Sequence, residues 1–488
     1  MCGIIGIEGS ARAPRLAATG LFALQHRGQE AAGIAASDGR SLAVRTGLGL
    51  VADAFPDGAL DGLKGASAVG HVRYATSGDG DLRNAQPLVF EHVHGPLAIS
   101  HNGNLTNAMQ IRRKLEKRGA IFRTSSDSEV IVHLTARHPG PVEDAVIAAL
   151  RQVEGAFSCL FLTPTKLIAV RDPLGFRPLV MGRLGKARVF ASETTALDLL
   201  GARVERDLEP GEMVIVEGGR LRSLKPFPPR GRRAFCVFEK VYFARPDSVF
   251  DGRTVQMDRQ SLGAELARQM KGARADCVVP VPDSGVPHAI GFAREAGIPY
   301  EVGFVRNHYI GRTFIQPGQA ARDMAVRLKL SPVRAALKGK RIVLIDDSIV
   351  RGTTSRRIIG LLRRVGVREV HMAIASPPIV APCFYGIDTP SRAELIAATR
   401  SQESIRRFLG ADSLTYLSLE GLLRATGGDA SDTCTACFTA RYPTPIPDFA
   451  EPGLLGSEAG GPAAAVAAAA AREKARDAAL DDEEDVYL

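Results

Sequence analysis

The chain contains no tryptophan, and only 6 % of its 488 residues are aromatic. Its positive charges, which outnumber the negative ones to leave a net +9, are scattered along the whole length instead of gathered into one stripe. A nucleic-acid partner is disfavoured on both counts, and an anionic small-molecule substrate suits the charge equally well. Cysteine is also scarce, with seven residues, too few for a secreted disulfide scaffold, so the thiols point to metal ligation or catalysis. Long apolar runs are missing. The longest, residues 463–471, falls far below the roughly 18 residues that span a bilayer, and no basic segment followed by an apolar core opens the chain. The expectation is a soluble, cytoplasmic protein without a membrane partner. What remains is ordinary globular composition, 45 % hydrophobic and 24 % charged, over a length that suits two or three domains.

Residues 2–230 read as short strands and turns, including CGIIGI, SAVGHVRYATSG, PLAISHNGNL, SCLFLT and LIAVRDPLG. A basic, Pro-rich stretch at 225–233 (KPFPPRGRR) follows as a linker. From about 240 to 425 apolar strands alternate with amphipathic helices, the α/β pattern. No fixed-period repeat is present. After residue 446 the chain turns Ala-, Gly- and Pro-rich and closes on DDEEDVYL, which reads as a disordered tail over 446–488.

The clearest unit is KGKRIVLIDDSIVRGTTSRRIIGLLRRVGVREVHMAIAS. Residues 342–345 are continuously apolar, as in a strand buried on both faces, while Ile358, Leu361, Leu362 and Val365 recur at helical spacing before Gly366. This strand, loop and helix put Asp346 and Asp347 at the carboxyl edge of a parallel sheet, where open α/β folds bind ligands. Gly352, Thr353, Thr354 and Ser355 then offer N–H groups and hydroxyls at a helix N-terminus, as an anion site requires. The bland reading is an acidic strand end and a Thr cap. The loop lacks the Lys of a Walker motif and the three glycines of a dinucleotide loop.

The stretch resembles the phosphoribosyl diphosphate signature of type I phosphoribosyltransferases. That resemblance implies Asp346 and Asp347 on the ribose hydroxyls and magnesium, with Arg351, Gly352, Thr353, Thr354 and Ser355 around the 5-phosphate. It also implies Asp283 and Ser284, after the strand CVVPVP, at the diphosphate, with Ser284 a magnesium-site serine. Residues 306–323 (RNHYIGRTFIQPGQAARD) are similar to the family's lid, which excludes water from the reacting centre.

Cys2 stands behind an initiator. With Met1 removed it carries a thiol of pKa about 8.5 and a free amine of pKa about 8, so nucleophile and general base share one residue. Alone, it reads more simply as a small hydrophobe in a first strand. Five ordered segments, CGIIGI, LQHRGQEAAGI (24–34), GHVRYATSG (70–78), HNGNLTN (101–107) and TSSDSEV (124–130), resemble the glutaminase domain of N-terminal-nucleophile amidotransferases. The resemblance implies catalytic roles for Cys2, with Asn102 and Gly103 as the oxyanion hole, and a glutamine pocket made by Arg27, Arg73, Thr76 and Asp127. Arg73 suits an α-carboxylate and Asp127 an α-ammonium.

Both halves in this order are similar to the glutamine phosphoribosyl diphosphate amidotransferase family over about residues 2–440, joined by FEKVYFARPDSVFDG (238–252). The fold expected from it is an α+β glutaminase domain of four αββα layers over 2–230, then an α/β phosphoribosyltransferase domain with a parallel sheet over 240–440. The implied reaction hydrolyses glutamine and carries ammonia to phosphoribosyl diphosphate, giving 5-phosphoribosylamine for purine synthesis. Tyr242, Phe243 and Arg245 are candidates for an ammonia passage or, equally, for interdomain packing. Cys434 and Cys437 form a CxxC that Cys236 and Cys383 complete to four; by chemistry alone zinc and iron-sulfur both fit. APCFYGID and CTACF resemble the iron-sulfur branch, which implies one four-iron four-sulfur cluster and one magnesium per subunit, AMP and GMP as feedback inhibitors, and a homotetramer. Cys159 and Cys277 read as core residues. Relatives in that branch often carry a longer cleaved leader. Val286 and His288 stand where the family often has smaller or polar residues, and Arg306 where many members have Lys. The rival class is a catalytically silent phosphoribosyl diphosphate or nucleotide sensor, against which Cys2, Arg73, Asn102, Asp127 and both acids argue.

Overall fold

The computed structural model describes residues 1–74, 81–93, 95–228, 230–270, 272, 274–307 and 330–447. Thr76, the lid residues from 308 onward and the tail from 448 lie outside them.

Two antiparallel sheets build the first half. One has seven strands in the spatial order Arg203–Asp207, Val180–Leu184, Ala187–Ala191, Gly3–Glu8, Ser67–Arg73, Ala31–Ser37 and Leu42–Leu48. The other has six: Arg220–Leu224, Met213–Glu217, Lys166–Arg171, Gly155–Leu162, Gly95–Leu105 and Leu88–His92. The strand Gly3–Glu8 sits at the centre of the first sheet, which explains its apolar run from Gly3 to Ile7. Ile4 points between the sheets, toward Leu160 and Leu167, while Ile5 and Ile7 point to the opposite face under the helices Ala13–Ala23 and Thr194–Leu200. That alternation is the period of two inherent in a strand. A second helical set, Ala108–Glu116, Ser128–Ala136 and Val142–Leu150, covers the outer face of the second sheet through Ile99, Phe157, Phe161 and Ile168. The result is the expected four-layer αββα stack.

The second half holds a parallel sheet in the order Cys277–Pro280, Arg341–Asp346, Glu369–Ile374, Ser413–Tyr416. The helix Thr353–Arg364 turns Ile358, Ile359 and Leu362 into its core. Helices Val255–Gln269 and Gly285–Ala296 cover the other face through Leu262, Leu266, Ala289 and Phe292. Cys159 and Cys277 are core residues, as expected.

The chain returns to its start after the parallel sheet. Asn104 donates to the Phe384 carbonyl (3.0 Å), and Thr106 to that of Pro445 (2.9 Å). A short parallel pair, Phe235–Cys236 beside Thr433–Cys434, ties the linker to the same C-terminal segment.

Candidate active site

Strand Gly3–Glu8 presents Cys2 at its beginning. The Cys2 main-chain N–H donates to Asn102 Oδ1 (3.2 Å), its thiol to the Tyr74 carbonyl (3.6 Å), and its carbonyl accepts from Arg27 Nε (2.9 Å). Asn102 lies on the neighbouring sheet's strand Gly95–Leu105, fully buried, and its amide nitrogen has no partner among the described residues. Gly103 follows with φ 155°, and a Cβ there would stand 2.0 Å from the Ala156 carbonyl. Only glycine fits, and its backbone is left open to close approach. Met1 is enclosed as well, and burial pushes its amine down to about 6.

Arg73 is buried near Glu30 (3.6 Å). Asp127 accepts from the Leu105 N–H (2.9 Å) and stands 3.8 Å from His101. Asp127 therefore flanks the strand that carries Asn102. All three side-chain nitrogens of Arg27 are engaged by protein groups. Besides Cys2 it donates to Glu193 and, through both terminal nitrogens, to Glu239 (2.9 and 3.1 Å). Burial would raise the Glu193 carboxyl, but His26 and Arg27 beside it hold it well below the usual range. Arg177 joins the cluster, donating to Glu239 (3.3 Å) and twice to the Tyr385 carbonyl (2.9 and 2.6 Å). Glu193, Glu239, Arg177 and Tyr385 escape a reading of motifs, although Glu239 and Arg177 sit inside FEKVYF and GFRP.

At the second centre, the carboxyl edges of strands Cys277–Pro280 and Arg341–Asp346 place Asp283, Ser284, Asp346 and Asp347 together. Burial and the charge of Asp347 push the Asp346 carboxyl well up; burial also raises that of Asp347, which Ser284, Ser348 and Arg259 oppose. Asp283 pairs with Arg306, and Arg351 with Glu394 (3.0 Å). Gly352 begins the helix Thr353–Arg364 in the left-handed region, φ 75°. A cavity of about 1660 Å³ is lined by these residues, by Arg351 to Ser355, and also by Tyr242, Phe243, Arg245, His26, Tyr74 and Met1. It is larger than one small ligand needs, because it runs from the acidic pair past the 238–252 seam to the start of the chain.

Cys236, Cys383, Cys434 and Cys437 line the same cavity. Burial pushes both the Cys434 and the Cys437 thiols well up, with neighbouring thiols adding to both. Four sulfurs from three separated segments thus converge, although among the described residues no three Cys, His, Asp or Glu side chains stand at metal-ligand spacing.

Two family descriptions match the chain: "Glutamine amidotransferase domain" over residues 71–199 and "Phosphoribosyl transferase domain" over residues 247–376. Amidophosphoribosyltransferase of Bacillus subtilis is 50 % identical over 451 residues, covering 91 % of this chain and 94 % of that one. Amidophosphoribosyltransferase 2, chloroplastic, of Arabidopsis thaliana is 48 % identical, covering 93 % and 83 %. Among solved structures, the B. subtilis glutamine phosphoribosylpyrophosphate amidotransferase complexed with ADP and GMP superposes with TM-score 0.86 at 49 % identity, over 91 % of this chain and 98 % of the other.

Proposed function

The chain belongs to the amidophosphoribosyltransferase family, glutamine-dependent pentosyltransferases of purine synthesis, and from that premise we propose how its residues divide the work. Residues 2–230 form the glutaminase and 240–440 the phosphoribosyl unit. Once Met1 is gone, the Cys2 amine takes the thiol proton as sulfur attacks the glutamine amide carbon. Asn102 Nδ2 and the Gly103 N–H receive the oxyanion, while Arg73 and Asp127 bind the α-carboxylate and α-ammonium, with Thr76. Ammonia leaves, and water releases glutamate from the thioester. Arg27 supports this pocket from beneath, by holding the Cys2 carbonyl. Ammonia moves through the cavity past Tyr242 and Phe243 and displaces diphosphate from carbon 1 of phosphoribosyl diphosphate. The observation that carries the reading is a buried amide nitrogen without a partner on Asn102, whose oxygen already engages the Cys2 N–H.

Asp346, Asp347 and Ser284 are an all-oxygen set, and two carboxyls pushed up by burial, Asp346 further by the charge of Asp347, suit a cation such as magnesium. A bound magnesium would neutralise the diphosphate as it departs. Arg351 to Ser355 cradle the 5-phosphate, and Asp283 meets the diphosphate. Four convergent thiols suit a four-iron four-sulfur cluster, which would pin the C-terminal segment to the linker. AMP and GMP inhibition, a homotetramer and a cytoplasmic location complete the reading; among the described residues no helix is long and apolar enough to cross a membrane.

Cys2→Ala provides the test. Glutamine-driven synthesis should vanish while ammonia-driven synthesis persists. A variant that still consumes glutamine at the original rate would refute the role of the thiol.

A further inference from the structure

The three largest side chains withdrawn from solvent among the described residues are all arginines: Arg27, Arg177 and Arg259. Burying such a charge is costly unless it is paired and hydrogen-bonded, and each of the three places at least one of its hydrogen bonds on the same short segment. Residues Glu239–Phe243 form a π-helical turn at the seam, a rare geometry that concentrates at functional sites. Arg27 and Arg177 grip its first side chain, Glu239, from the glutaminase half, and Arg27 also holds the Cys2 carbonyl. Arg259 grips its backbone from the other half, donating from Nε to the Lys240 carbonyl (3.0 Å) and from Nη2 to the Ala244 carbonyl (2.7 Å). The turn is therefore clamped between an arginine that touches the nucleophile's residue and one that belongs to the phosphoribosyl side.

Arg259 has a second face. It lines the large cavity together with Asp347, Ser284 and the seam residues Tyr242, Phe243 and Ala244. Its charge is felt by Asp347, and its remaining nitrogen, Nη1, has no hydrogen-bond partner among the described residues. Two nitrogens thus fix the turn that presents Tyr242 and Phe243 to the cavity, while one is free to answer a change of charge beside the acidic pair. Arrival of a polyanion with its counter-cation alters the field at this guanidinium. Any movement it makes is transmitted to two carbonyls, one near each end of the turn, since a bidentate grip resists independent rotation.

We propose that Arg259 is a positioning residue that ties glutamine hydrolysis to occupancy of the phosphoribosyl site, by holding the seam turn through Lys240 and Ala244 while answering charge beside Asp347. The proposal rests on the two-stage reaction above. It does not make Arg259 a participant in either chemical step.

The test uses the full-length, Met1-free protein with magnesium, as wild type, Arg259→Gln and Arg259→Lys. Glutamate and diphosphate are measured in one reaction, and glutaminase activity is measured with and without phosphoribosyl diphosphate. Wild type should yield equal amounts of the two products and be stimulated by phosphoribosyl diphosphate. Arg259→Gln should release glutamate in several-fold excess and lose at least about fivefold of that stimulation, the lower range of an allosteric coupling. Arg259→Lys keeps the charge but reaches one carbonyl only, and should fall between. Equal products with undiminished stimulation in the variants, even if glutamine- and ammonia-driven rates decline together, would overturn the proposal and leave a merely structural arginine. If Arg259→Gln fails to fold, Arg259→Lys decides by the same ratio: excess glutamate supports the coupling role and equal amounts refute it. A wild type that makes no diphosphate from glutamine would instead remove the reaction on which the proposal stands.

Discussion

Asn102 shows how much chemistry one side chain carries. Its oxygen is used on Cys2, so its nitrogen is the only end left for a developing oxyanion. Asn102→Ala should lower glutamine-driven turnover by about 10²–10³, the typical cost of losing one such donor. Ammonia-driven synthesis, measured on the same preparation, should change little. His288 illustrates the opposite, a titratable group kept out of use. It is fully buried, its Nδ1 lies 3.0 Å from the Ser284 carbonyl, and burial, with Arg259 nearby, pushes its pKa down to about 3. The unfolded chain takes up this proton near pH 6.5 and the folded chain only near 3. Stability is complete above about pH 6.5 and declines as pH falls toward 3, by about 1.4 kcal/mol per unit for this one group. His288→Asn should therefore give a shallower loss of Tm than wild type between about pH 6.5 and pH 4.5, in thermal scans at matched salt.

At the scale of elements, helices Val255–Gln269 and Gly285–Ala296 cross backbone to backbone. A Cβ on Gly263 would lie 1.9 Å from the His288 carbonyl, and one on Gly291 1.9 Å from that of Gln260. Because the second helix begins directly after Ser284 and the first carries Arg259, their separation sets the geometry of the acidic pocket. Gly263→Ala should destabilise the protein by about 1–3 kcal/mol, as overpacking does, and raise KM for phosphoribosyl diphosphate, read by denaturation and steady-state kinetics. The same elements show what the sequence makes legible. Residues 342–345 advertise a doubly buried strand through their unbroken apolarity, and Ile358, Leu361 and Leu362 advertise the helix behind it through their spacing. The acids and the Gly-Thr-Thr turn stand between them at fixed offsets, so this candidate pocket is readable locally. The seam is not. Arg27 meets Glu193 and Glu239 across 166 and 212 positions, and pairing over such separations leaves no periodic trace. For that reason Glu193, Arg177 and Tyr385 escape notice.

On the scale of the whole molecule, the two sites are joined by one cavity and one tether. Cys236 comes from the linker, Cys383 from the segment docked on the glutaminase strand, and Cys434 and Cys437 from the C-terminal helix region. A cluster across them would couple metal content to the closure of both halves. Anaerobically purified protein should hold about four irons per chain, and Cys437→Ser should lose both iron and the visible absorbance while its Tm drops. Retention of full iron content by that variant would exclude it as a ligand.

The residues just after Asn102 and Gly103 are tied to the chain's later segments: Asn104 and Thr106 donate to the Phe384 and Pro445 carbonyls across 280 and 339 positions. A ribosome delivers residues in order, so the thiol emerges long before the pieces that enclose it. Enclosing the space beside Asn102 is thereby linked to near-complete translation: a nascent polypeptide halted midway owns Cys2 but lacks these bonds.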